Sequence, residues 1–174
     1  MSAGLLKYLV ALLVLACLLG ACTEEVPDYV RQAFPEAASV ERVKGRHPHS
    51  LAAVWRVLDG ERALLGYSAL AEGQGFNGPV EVAVGWVPGW GISHVQVVHQ
   101  EESPDYGGKH LHSAWFTEQF LGNPEGREYN LVKMRRQEPQ DVVVITGATA
   151  SSQAVLSAVN QCLAVFKELS PEEE

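Results

Sequence analysis

Cysteine is scarce in this chain. Cys17, Cys22 and Cys162 are the only three in 174 residues, and no two stand in a Cys-x-x-Cys spacing. A disulfide scaffold and a Cys-x-x-Cys-His haem attachment are thereby excluded. Positive charge is also in short supply, with 13 Lys and Arg against 21 Asp and Glu and a net charge of -8 at pH 7. Such a balance argues against nucleic acid as a partner and against electrostatic adhesion to anionic lipid. No hydrolytic pair is evident among Asp28, Glu101, Glu102 and Asp105, and the one serine-rich stretch lacks a base. His47-x-His49 and His110-x-His112 read as loop or surface histidines, because no Cys or carboxylate cluster completes either set. No metal centre is expected.

What is present begins at the N-terminus. Lys7 precedes an uncharged stretch from Tyr8 to Cys22, 15 residues long and mostly Leu, Val and Ala. A transmembrane helix needs about 20. The stretch therefore reads as a secretory signal, and Leu19-Gly20-Ala21-Cys22 resembles the lipobox of bacterial lipoproteins. The expected organisation is a signal peptide over 1–21, a lipidated N-terminus, tether and amphipathic helix over 22–37, a domain over 38–170, and an acidic tail over 171–174. Lipidation would consume Cys22. Cys162 is then left without a partner, as a small buried hydrophobe on the last helix.

Periodicity supplies the elements. Val26 to Ala37 carries Tyr29, Val30, Ala33 and Phe34 on one helical side. Leu51 to Leu58 and Arg62 to Leu70 read as strands joined at Asp59-Gly60, and Val80 to Val87 and Trp90 to His99 as a second pair about Pro88-Gly89. The Gly-Trp pairs flanking that second turn are read as indoles covering an edge. A helix is predicted from Ser113 to Leu121, a strand over Val142 to Ile145, and a helix from Ala150 to Leu169 with Val155, Ala158, Val159, Cys162 and Phe166 in a stripe. Hairpins with helices before and after them imply an α+β fold with an antiparallel sheet.

The junction between the last strand and helix is the most telling segment. Thr146-Gly147-Ala148-Thr149-Ala150-Ser151-Ser152 sets hydroxyls and a turn-permitting glycine at a helix N-terminus, where unpaired N–H groups and the positive dipole end favour a phosphate. Helix capping alone accounts for the same residue types.

This string resembles the FMN-binding domain family, which includes the G subunit of Rnf-type complexes and the C subunit of sodium-translocating NADH:quinone reductase. Two further loops carry the likeness in the same order: Gly73-Gln74-Gly75-Phe76-Asn77-Gly78-Pro79, and Glu102-Ser103-Pro104-Asp105-Tyr106-Gly107-Gly108-Lys109 followed by Trp115-Phe116. The resemblance implies FMN as cofactor, joined through a phosphodiester to Thr149. Thr146, Gly147, Ala148, Ser151 and Ser152 would then surround the phosphate. Gly75, Phe76, Glu102, Ser103 and Tyr106 would wall the flavin, and Lys109 would offset phosphate charge or raise the flavin potential. It also implies a flavin transferase and a membrane redox complex as partners, with the lipid anchor holding an electron carrier on the extracytoplasmic face of a bacterial envelope. In flavinylated relatives an Asp stands six residues before the acceptor. Here that position is Val143, and the nearest carboxylate is Asp141. Two other readings stay open: a non-flavinylated scaffold lipoprotein of a redox complex, and a flavin-dependent reductase with its own small substrate.

Overall fold

The computed structural model describes residues 25–45 and 51–169; the segment read as a signal, Cys22, the His47-x-His49 pair and the acidic tail lie outside the described residues. Helix α1 (Asp28–Ala33) is shorter than its apolar pattern. Pro27 sets its start, and Phe34 turns extended because the following Pro35 disfavours helical geometry there. Strands β1 (Ser39–Arg42), β2 (Leu51–Leu58), β3 (Leu64–Gln74), β4 (Pro79–Val87) and β5 (Gly91–His99) form one antiparallel sheet in that order. The α+β expectation holds.

Details of the hairpins differ from the sequence reading. The first turn spans five residues because the Asp59 carboxylate accepts the N–H groups of Glu61 (2.9 Å) and Ala63 (2.8 Å), closing an Asx-type loop. Of the two indoles at the second turn only Trp90 is exposed. Trp86 is buried and stacks on Phe166 with ring centroids 5.8 Å apart, so it belongs to the core rather than to an edge.

Helix α3 (Thr149–Leu169) lies across β3 and β4. Its stripe of Val155, Ala158, Val159, Cys162 and Phe166 is fully buried against Tyr67, Val82, Val84 and Val97. Burying each of Val155, Val159 and Phe166 stabilises the fold by roughly 1.5–3 kcal/mol. Burial also pushes the Cys162 thiol pKa far up, which keeps it protonated and unreactive. The opposite sheet face packs Trp55 and Val57 under Val30 of α1 and Phe34 just after it.

A second, two-stranded sheet was not foreseen. Strand β6 (Asn130–Val132) pairs in parallel with β7 (Asp141–Val143), the last strand expected from the sequence. Side-chain amides occupy backbone groups beside both strands. Gln119, on the 3-10 turn Glu118–Phe120 that continues α2 (Ala114–Thr117), receives the Val143 N–H at 2.7 Å and donates to its C=O at 3.3 Å. Asn160 of α3 does the same at Tyr129, at 2.9 and 3.0 Å. These bonds tie β6 and β7 to the helices, and so fix where the chain after β7 enters α3.

Candidate functional site

Three loops meet at the N-terminus of α3. The first follows β7, where Ala148 N–H bonds to Ile145 C=O at 2.9 Å and Gly147 adopts φ +79°. A β-branched residue would be strained at that φ. The first i to i−4 bond of α3 runs from Ser152 N–H to Ala148 C=O. The N–H groups of Thr149, Ala150 and Ser151 therefore precede the helix ladder and have no intrahelical acceptor. A Cβ built on Gly147 would meet nothing within 4 Å, so this turn leaves open space beside those donors.

The second loop, after β5, passes through short 3-10 turns at Pro104–Tyr106 and Gly108–His110. Gly107 sits between them at φ +96°, and a Cβ there would lie 2.1 Å from the Ala148 Cβ. Only glycine permits this approach. The third loop joins β3 to β4, with Gly75 N–H bonded to Gly78 C=O at 2.8 Å and Phe76 78 % exposed.

One carboxylate fastens all three. Glu102 is buried, receives the Asn77 N–H on Oε1 at 2.8 Å, and accepts the Ser151 hydroxyl on Oε2. Burial alone would raise its pKa, but bonds from Ser151, Asn77 and Phe76 outweigh burial and hold it below the ordinary value of 4.5. The ionised form therefore stabilises the fold above pH 4.5, and that contribution disappears as the pH falls through the lowered folded-state pKa. Acid unfolding followed by tryptophan fluorescence is expected to show a stability loss below that pH in wild type. In Glu102→Gln the same limb is expected to be shallower from a lower plateau.

Between the loops lies a cavity of about 570 Å³, lined by Phe76, Glu102, Ser103, Gly147, Ala148, Thr149, Ala150 and Ser151. That size falls within the roughly 300–1,000 Å³ usual for cofactor sites. Thr149 is exposed at the first helical position and lines the cavity where the free N–H groups begin. The donor set, the open space at Gly147 and the apolar Phe76 and Ala148 suit a phosphate joined to a planar ring.

Several expected site residues sit elsewhere. Ser152 is fully buried, and its Oγ accepts the Ile145 N–H at 3.1 Å, so it staples strand to helix rather than lining the cavity. Thr146 and Lys109 are exposed outside the lining, and Gly75 stands behind Phe76. Tyr106 lies in the first 3-10 turn, with its side chain outside the described residues. Asp141, the carboxylate nearest to the acid missing at Val143, is engaged on the loop before β7. Its Oδ2 accepts the N–H groups of Gln137 (2.8 Å) and Glu138 (3.0 Å), which hold its pKa below the carboxylate norm and fix the loop before β7. Missed by the sequence reading was the Ser151–Glu102 bond, for which residues 49 apart give no local signal. His110 and His112 are exposed.

The fold resembles the crystal structure of Shewanella oneidensis NqrC, with a TM-score of 0.53 at 16 % identity, covering 82 % of this chain and 73 % of that one. The G subunit of the Na(+)-translocating ferredoxin:NAD(+) oxidoreductase complex of Acetobacterium woodii is 27 % identical over 153 residues, which cover 80 % of this chain and 73 % of that relative. Residues 75–164 match the model of the FMN-binding domain, a span containing every residue that lines the cavity. The chain belongs to the FMN-binding domain family, and its cofactor is FMN.

Proposed function

We propose that this protein is a lipid-anchored, extracytoplasmic electron carrier with FMN esterified through its phosphate to Thr149. It would work as a subunit of a membrane redox complex of the kind its relatives' names describe. The observation that carries this reading is the position of Thr149, exposed at the start of α3 inside the cavity and flanked by backbone donors free of the helix ladder. Bound there, FMN supplies the redox chemistry. The chain supplies attachment, N–H donors for the phosphate and a partly apolar wall. Covalent tethering suits a carrier in an open envelope compartment, because the cofactor cannot diffuse away.

The cavity offers Thr149 no base of its own. Among the described residues Glu102 is its only ionisable lining group, and that carboxylate is held ionised, with a lowered proton affinity, by bonds from Ser151 and the Phe76 loop. Esterification accordingly needs a flavin transferase. Wild type produced with such an enzyme is expected to gain the mass of FMN less one water; produced without it, it keeps the unmodified mass. An unmodified chain beside a labelled control domain would instead favour the scaffold reading, with Val143 as the departure responsible.

The anchor rests on Leu19-Gly20-Ala21-Cys22. Among the described residues no helix is long and apolar enough to cross a membrane. Cys22→Ser is expected to abolish incorporation of labelled palmitate and release the protein from the membrane fraction. Continued labelling would show that Cys22 is not the acceptor.

A further inference from the structure

The charge of the flavin cavity is one-sided. Among its eight lining residues the single ionisable group is Glu102, an anion buried to 6 % exposure and fixed by Asn77 and Ser151. Among the described residues no lysine or arginine lines the wall, and Lys109, which the sequence offered as a counter-charge, is exposed outside it. We propose that Glu102 sets the redox poise of this protein: its fixed negative charge disfavours electron gain by the flavin and holds the midpoint potential low. The inference rests on FMN occupying this cavity.

The physical argument is a comparison of charges. Two-electron reduction with a single proton would leave net negative charge on a ring bound here, beside a carboxylate that cannot move away because both of its oxygens are held. With two protons the ring would stay neutral and the carboxylate would have little to oppose, so the effect belongs to a pH at which the reduced ring is anionic, and the titration is made there. In a cavity of this size any bound ring lies near that charge, where water screens it less than in bulk. The opposing influence is the N-terminus of α3, equivalent to about half a positive charge. The FMN phosphate, itself anionic, draws on that half charge first. The full unit on Glu102 therefore dominates the balance, the reverse of what a wall lysine would do.

Holoprotein made with a flavin transferase permits the test, by potentiometric titration at one fixed pH with mediators carrying electrons from an electrode. Glu102→Gln, which keeps the shape and loses the charge, is expected to shift the midpoint potential upward. Glu101→Gln removes a neighbouring charge whose side chain is 71 % exposed, and is expected to leave the potential where it was. Ser103→Lys adds a cation to the wall while Glu102 stays in place, and is expected to shift the potential upward. It serves also if Glu102→Gln fails to fold or to retain flavin. A flavin-loaded Glu102→Gln with an unmoved or lowered potential would overturn the inference, as would an unmoved Ser103→Lys in the other variant's absence. Wild type that carries no flavin overturns the occupancy reading itself, and bound-flavin absorbance tells that outcome from the others.

Discussion

Thr149→Ala is expected to remove covalent flavin completely while leaving the domain folded. The side chain is exposed and no described fold contact depends on it, so thermal stability should stay within about 0.5 kcal/mol of wild type. The flavin signal responds differently. Wild type coproduced with a transferase is expected to fluoresce on a denaturing gel, and the alanine variant to stay dark. Thr149→Ser keeps a hydroxyl at the same helical position and is expected to retain part of the signal. Val143→Asp restores the acid that flavinylated relatives carry and should raise the yield, since Asp141 is already committed to Gln137 and Glu138. Intact mass of the four proteins settles the matter, and flavin on the alanine variant would exclude Thr149 as acceptor.

Gly73→Ala is expected to have the largest effect on stability. A Cβ at that position would lie 1.9 Å from the Ala154 carbonyl oxygen, which is backbone and has no rotamer to change. The helix must lift from β3, an overpacking cost of ~2–3 kcal/mol. For a domain of this size that lowers Tm by roughly 5–10 °C. Gly60→Ala is the natural comparison, because a Cβ there meets nothing within 4 Å. Differential scanning calorimetry of both should separate close approach from glycine content. Equal Tm values would show that α3 does not bear on Gly73.

The same contacts explain what could be read in advance. The apolar runs of β2 and β4 beside their turn dipeptides and the apolar stripe of α3 are local patterns tied to burial, and those elements appear within a few residues of expectation. Strand β6 carries no such pattern. Its three residues are half-buried or exposed, and it exists because β7 pairs with it and Asn160 holds its approach at Tyr129. At the site, the motifs located Thr149, Gly147, Phe76 and Glu102 in one cavity. They did not distinguish Ser151, which donates to Glu102, from Ser152, which braces Ile145, because adjacent helical residues point about 100° apart and only the packed structure decides which face is which.

Helix α3 also provides a built-in ruler. From Thr149 to the exposed Glu168 it runs unbroken, about 30 Å at 1.5 Å per residue. Cys162 between them is sealed and inert, so in the lipidated form proposed above, with Cys17 removed in the signal and Cys22 acylated, a thiol introduced as Glu168→Cys would take a dye while Cys162 stayed unlabelled. A fluorophore on an electron-donating or electron-accepting protein would then report two distances by energy transfer, one to the flavin and one to the dye, with the rigid rod between those two points holding one side of the triangle constant.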